Sequence, residues 1–345
     1  MLGIDGRAAR VTWTIVLIVT ALVVTFLIRR TLLIFIIALL LAYLLSPLVN
    51  LVDRSASRRL PRNLSLAVVY LGLIALVGFG LFTLGARIAE EAASLAQRLP
   101  QYLKDPRTFT QIPLPEWAEP YRKSALDSLG AQLEESAREI LPMLGRTGQT
   151  ILHAFGSLVF IILVPILSFF FLKDSRQIRQ TILDQFSDNA RRAVDGLLAD
   201  VHVMLAQFMR ALVMLSLLTL VVYWIYFSIT GVPHALLLAG IAGVLEFIPV
   251  AGPLTASIVI LVVSGFAGYP HLVWILIFLI AFRLFQDYVV QPYLLGAGVE
   301  LSPAAVIFGV LAGEQIAGVM GMFLSIPALA TLRVIYVRFR RSRAL

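Results

Sequence analysis

The sequence has 345 residues, 59% of them hydrophobic and 14% charged, with a mean hydropathy of +0.91 and a net charge of +8. Soluble globules hold about half apolar and about a quarter charged residues, so these values exclude an ordinary soluble domain and indicate an all-α, polytopic helical membrane protein. Cysteine is absent and the four histidines, His153, His202, His234 and His271, show no ligand-like spacing, so neither a disulfide nor a metal or other cofactor is expected.

About 20 apolar residues are needed to cross the hydrocarbon core, and eight stretches qualify: 11–28, 31–52, 64–88, 151–172, 206–230, 235–266, 271–290 and 303–337. The first follows Arg7 and Arg10 but is too long for the apolar part of a signal peptide and precedes Arg29 and Arg30 without a small-residue cleavage site, so it reads as a spanning helix. Arg54, Arg58, Arg59 and Arg62 crowd the loop at 53–63, and Arg338, Arg340, Arg341 and Arg343 the C-terminal tail. Cytoplasmic loops are rich in Lys and Arg, so both termini are expected in the cytoplasm; this membrane bias explains the net charge better than a nucleic-acid surface does.

Residues 89–150 then fall outside the cytoplasm. They carry a helical pattern to about 104, a proline cluster at Pro106, Pro113, Pro115 and Pro120, and a second amphipathic run to about 141. The expectation is a small helical subdomain packed on the transmembrane body or on a neighbouring subunit. After the helix at 151–172, residues 173–205 repeat apolar positions at three- and four-residue spacing, with Arg176, Arg179, Arg191 and Arg192 elsewhere. Such a helix covers the cytoplasmic ends of the bundle or lies on anionic lipid.

The C-terminal region, 206–345, holds two overlong stretches. If continuously helical, 235–266 would reach about 48 Å against a core of about 30 Å, and Pro249 and Pro253 supply a break. It forms either two half-helices of one crossing or a re-entrant hairpin, and the same choice applies to 303–337. Charge bias cannot decide, because two hairpins return the C-terminus to the same side.

Each overlong stretch sets a carboxylate among helix breakers, a costly arrangement at bilayer depth unless it lines a cavity, and such paired breaks point to a transporter's binding region. Glu246, with Pro249, Gly252 and Pro253, forms the first: a proton-coupling or solute-anchoring carboxylate, or one that caps the exposed amides of the broken helix. Glu314 sits in the second, where Gly309, Gly313, Gly318 and Gly321 make a small-residue face suited to close packing or hinging. Arg283, Asp287 and Gln291 recur every four residues with Gln286 nearby, giving either a structural ion pair or the polar wall of a translocation route. No P-loop, H-E-x-x-H or G-x-S-x-G pattern occurs, and Gly296-Ala-Gly298-Val-Glu300 recovers only part of an intramembrane acid-protease motif, so the chain is not expected to be an enzyme.

The sequences GVLEFIPVAGP from Gly243, QPYLLG from Gln291, LSP from Leu301 and GVMGMFLSIPA from Gly318 resemble the autoinducer-2 exporter family of PerM-like permeases, over residues 205–337 most specifically. The resemblance implies an inner-membrane transporter of bacterial type with around eight membrane segments, assembled as a homo-oligomer, with a pentamer among the implied states. Members are associated with export of the furanone signal autoinducer-2, used in quorum sensing, and some with exchange of sodium or lithium for protons. Asp287 stands where many members carry Glu, and Glu314 where a second Gly is usual. The expectation is secondary transport or facilitated diffusion of a small polar solute. A cation/proton antiporter and a non-transporting scaffold that recruits a partner through 89–150 are the alternatives.

Overall fold

The computed structural model describes residues 6–55, 62–104, 158–295 and 301–343, and every regular element among them is helical. In order these are α1 (Gly6–Leu27), α2 (Arg29–Ser55), α3 (Arg62–Lys104), α4 (Leu158–Lys173), α5 (Ser175–Leu183), α6 (Asp188–Thr230), α7 (Ala235–Leu245), α8 (Ala251–Phe266), α9 (Leu272–Phe285), a π-helical turn (Gln286–Val290), α10 (Gln291–Leu295) and α11 (Pro303–Arg343). Six stretches are long and apolar enough to cross a membrane by length and composition, Arg10–Leu27, Thr31–Asp53, Asn63–Leu95, Ala190–Thr230, Leu272–Leu294 and Pro303–Arg338, the last of them broken at Gly318, and shorter apolar helices accompany them. The chain is a polytopic helical membrane protein.

Two expected boundaries dissolve into longer rods. The third stretch and the helical pattern that follows it to about 104 are one helix of 43 residues, α3, which runs on through Gly72, Gly78, Gly80, Gly85 and Pro100. The proline cluster and the second amphipathic run at 105–150 lie outside the described residues. Likewise 173–205 is not one helix. The chain turns at 184–187, where Ser187 is extended (φ −64°, ψ 157°), and the remainder continues into the fifth stretch as the 43-residue α6.

α2, α3 and α4 pack through Ala42, Leu45, Val49, Leu66, Val69, Tyr70 and Leu172. A buried hydrogen bond of 2.6 Å between the Tyr70 and Ser168 hydroxyls joins α3 to α4. In lipid such contacts hold helices by close packing rather than by a water-driven hydrophobic effect.

The stretch 235–266 is a hairpin. α7 has 11 residues and α8 has 16, about 16 Å and 24 Å, both short of a core of about 30 Å. α7 runs back along α6, with the Ser216 hydroxyl donating to the Gly243 carbonyl at 2.7 Å. α8 then returns to the starting level, where the Tyr269 hydroxyl donates to the Thr230 carbonyl at 3.2 Å. Both open ends lie at the Thr230 end of α6. α9 follows in the direction of α7, and Phe227, Leu238, Ile260 and Ile275 are wholly buried where α6, α7, α8 and α9 converge.

The stretch 303–337 folds back in the same way but from the opposite side. α11 is interrupted at Ala317 (φ −145°, ψ 21°) and Gly318 (φ 60°, ψ −140°). A Cβ added at Gly313 would overlap the Gly321 carbonyl, one at Gly321 the Gly313 carbonyl, and one at Gly309 the Leu329 side chain, so the arms lie antiparallel in contact. The second arm descends beside the first half of α6. Ala330 packs with Met204, Leu205 and Phe208, and Arg338 pairs with Asp200.

Candidate functional site

The turn of the first hairpin is built by its prolines. Pro249 has no amide to donate, so α7 closes with tight bonds, Phe247 N–H to the Val244 carbonyl at 3.3 Å and Ile248 N–H to the Leu245 carbonyl at 2.9 Å. Val250 then takes φ 62°, ψ −58°, and the Ala251 amide reaches the Pro249 carbonyl at 2.6 Å. This is a γ-turn of the rare positive-φ type, strained for any residue and more so for a β-branched one. Pro253 falls in the first turn of α8, where a missing N–H costs nothing. Gly252 is required because a Cβ there would overlap the Leu245 carbonyl.

Glu246 ends α7 and is 7% exposed. It accepts from the Thr219 hydroxyl (Oε2, 3.3 Å) and pairs with Arg283 (Oε1 to Nη1, 3.5 Å). It does not cap the amides of α8; the residue before that helix, Val250, provides no side-chain cap. The same Arg283 grips Asp287 with two nitrogens, Nε to Oδ2 at 3.0 Å and Nη2 to Oδ1 at 2.9 Å, and Gln291 Nε2 donates to Asp287 Oδ1 at 2.9 Å. Gln286, 1% exposed, turns the other way and donates to the Thr219 hydroxyl at 2.9 Å. The π-helical turn has a local cause: Pro292 cannot donate to Tyr288, and its ring crowds that carbonyl, so the turn before it widens.

Glu246, Arg283, Gln286, Asp287 and Gln291, all singled out from the sequence, therefore form one network with Thr219, which sequence reasoning missed. Thr219 recurs with Ser216 and Tyr223 on one face of α6, a legible spacing. Hydroxyls in membrane helices usually bond their own backbone, as Thr230 does to the Tyr226 carbonyl at 2.7 Å, so the spacing carries little weight alone. At 1.5 Å per residue Thr219 lies about 16 Å along α6 from Thr230, about half the hydrocarbon thickness. One guanidinium faces two carboxylates there, leaving one negative charge unmatched when both are ionised. The carbonyl end of α7 points at the same place and adds to that negative potential.

The second hairpin arrives from the far side. Phe323, just past its turn, meets Phe247 with ring centroids 6.1 Å apart. Glu314 does not join the polar network: it is exposed at the turn and makes no hydrogen bond or ion pair with a described residue. Gly309, Gly313 and Gly321 serve the close contact between the arms and Gly318 makes the turn itself. The residues of Gly296-Ala-Gly298-Val-Glu300 lie outside the described residues. Among the described residues no cluster of three or more His, Cys, Asp or Glu could hold a metal ion.

Comparison with known proteins agrees with this architecture in scale. The profile of the AI-2E family transporter matches residues 14–341. YrrI of Bacillus subtilis (strain 168), provisionally named for transport with no solute stated, is 23% identical over 312 residues, 89% of this chain and 86% of its own. The AI-2 transport protein TqsA of Escherichia coli (strain K12) is 24% identical over 303 residues, 87% and 83% of the two chains. A sodium-lithium/proton antiporter of Halobacillus andaensis is 22% identical over 303 residues, 84% of each.

Proposed function

The chain belongs to the AI-2E family of membrane transporters, and on that premise we propose that it exports a small polar solute of the autoinducer-2 kind by secondary transport. The single observation that carries this reading is the Glu246–Arg283–Asp287 cluster at mid-bilayer depth, set at the turn of one hairpin and beside the turn of another. Broken helices opposed across a midplane site supply what a solute pathway requires: polar groups that are satisfied internally and irregular backbone that lines a cavity. Thr219, Gln286 and Gln291 offer hydrogen bonds to a hydroxylated solute. Glu246 takes up a proton or sodium ion to match the unpaired charge, which couples solute movement to an ion gradient.

The chain sits in a bacterial inner membrane with both termini in the cytoplasm. Supporting this, Arg176, Arg179, Arg191, Arg192 and Arg338 gather at the Asp188 end of α6. It works as a homo-oligomer, with a pentamer as one candidate state. The exposure of Glu314 and Gln315 on a turn that reaches bilayer depth favours cover by a second copy over contact with lipid.

The test is autoinducer-2 flux from proteoliposomes of the purified chain, with and without an imposed proton or sodium gradient. Flux should rise with the gradient, and Glu246→Gln should remove that dependence while the protein stays folded. Absence of gradient-stimulated flux, or unchanged dependence in the variant, sinks the reading. A second reading, cation/proton antiport with no organic solute, is favoured by the net negative charge of the cluster and by the name of the Halobacillus relative. It predicts sodium- or lithium-driven changes of internal pH in vesicles that hold no solute.

A further inference from the structure

At the opposite end of α6 from the hairpin's open ends, α2, α4, α5 and α6 enclose a cavity of about 470 Å³. Arg176, Arg179, His202, Asn50 and Ser46 are among its polar lining residues, and most of its wall is apolar. Arg179 is committed to Asp195, with Nη2 to Oδ1 at 2.7 Å and Nε to Oδ1 at 2.8 Å. Arg176, exposed where it lines the cavity, makes no ion pair or hydrogen bond with a described residue, so its guanidinium is open to an anionic ligand.

The depth of this region is set by α6. His202 lies about 42 Å along α6 from Thr230, past the far edge of a hydrocarbon core of about 30 Å and so on its headgroup side. A second, mostly apolar trough shares Phe171, Ile178 and Ile182 with the cavity and extends to Phe35 and Leu167, with Asp174, Gln177 and Thr181 also in its wall. From Asn50 to Phe35 along α2 is about 22 Å, enough for an acyl chain that crosses one leaflet of about 15 Å. A cation at headgroup level that opens into an apolar trough towards the bilayer interior has the two-part chemistry of a glycerophospholipid.

We propose that this cavity binds one anionic glycerophospholipid, with its phosphate on Arg176 and an acyl chain along α2 and α4 beneath α5. Arg176 supplies a charge-assisted contact, and Asn50 and Ser46, one helical turn apart on α2, face the glycerol and ester oxygens. The lipid thereby ties α5, which follows directly on α4, to the base of α6.

The test uses the purified full chain in detergent and counts retained lipid by native mass spectrometry. The probes are palmitoyl-oleoyl phosphatidylglycerol and phosphatidylcholine, which share their tails. Phosphatidylglycerol should be retained about tenfold better, roughly the worth of one charge-assisted contact. Arg176→Ala should erase the difference and Arg176→Lys should keep most of it. Ser46→Trp, which narrows the cavity without touching Arg176, should lower retention of phosphatidylglycerol. Equal retention of the two lipids, or undiminished preference in Arg176→Ala, overturns the proposal. Displacement of phosphatidylglycerol by glycerol 3-phosphate at comparable concentration overturns it too, since the cavity would then be a site for soluble phosphate esters. If Arg176→Ala does not fold, the Ser46→Trp and displacement arms still decide.

Discussion

Phe247 and Phe323 stand at the turns of two helical hairpins that enter from opposite sides, and their rings meet with centroids 6.1 Å apart. Behind Phe247 lies Glu246, and behind Phe323 lies the glycine contact that closes the second hairpin. Movement of either turn must therefore pass through this aromatic contact.

The chain contains no cysteine, so a Phe247→Cys, Phe323→Cys pair can be introduced on a clean background. A short bismaleimide should link the two thiols within one chain. If the turns separate during transport, the linked protein loses flux and each single variant retains it. Failure to link under conditions that label both single variants would contradict the opposed arrangement.

Arg283 holds two carboxylates at once, of which Glu246 is buried while Asp287 and Arg283 itself are about a third exposed. Removing the guanidinium leaves the buried Glu246 charge uncompensated, a cost of about 1–3 kcal/mol after discounting for that exposure. Arg283→Gln should therefore lower thermal stability in detergent markedly. Adding Glu246→Gln and Asp287→Asn to it should recover most of the loss. A single variant as stable as the wild type would show that the charges are separately solvated.

Gly318 adopts φ 60° and ψ −140°, a conformation open almost only to glycine, so Gly318→Ala should cost about 1–3 kcal/mol. Gly313→Val should be worse, because its side chain has to enter the Gly321 carbonyl. Thermal unfolding of the two variants gives the comparison, and an order with Gly313→Val the milder would refute the close contact of the arms.

Val250 carries positive φ without being glycine, and relieving that strain is worth about 1–3 kcal/mol, less about 1 kcal/mol for the added freedom of glycine in the unfolded chain. Val250→Gly should leave stability equal or slightly higher. If the strained turn drives the hairpin between states, turnover in vesicles falls in the same variant; unaltered turnover would make the strain incidental.

Glu91 of α3 accepts the Leu237 amide at 2.9 Å in the first turn of α7. The sequence placed Glu91 in an extracytoplasmic subdomain packed on the transmembrane body or on a neighbouring subunit, and this bond ties Glu91 to the pathway hairpin. A carboxylate at a helix N-terminus is worth about 0.5–2 kcal/mol, so Glu91→Ala should speed amide exchange across 235–241 several-fold. Exchange confined to its wild-type rate would show that α3 does not restrain the hairpin.

The sequence by itself determined what depends on composition and on neighbours within one or two helical turns. Apolar content fixed the membrane class, proline chemistry fixed the break at Pro249 and Pro253, and four-residue spacing fixed the Arg283–Asp287–Gln291 ladder. Only the tertiary structure decided the direction of the broken segments, since a crossing and a hairpin share the same hydropathy and differ in which distant groups they touch. Ser216 against Gly243, Tyr269 against Thr230 and Gly313 against Gly321 settle that choice. The contacts of Glu246 with Thr219 and Arg283, and the separation of Glu314 from that network, follow from how the hairpins pack on α6 and α9. Such contacts between residues far apart in the chain leave no local periodicity in the sequence.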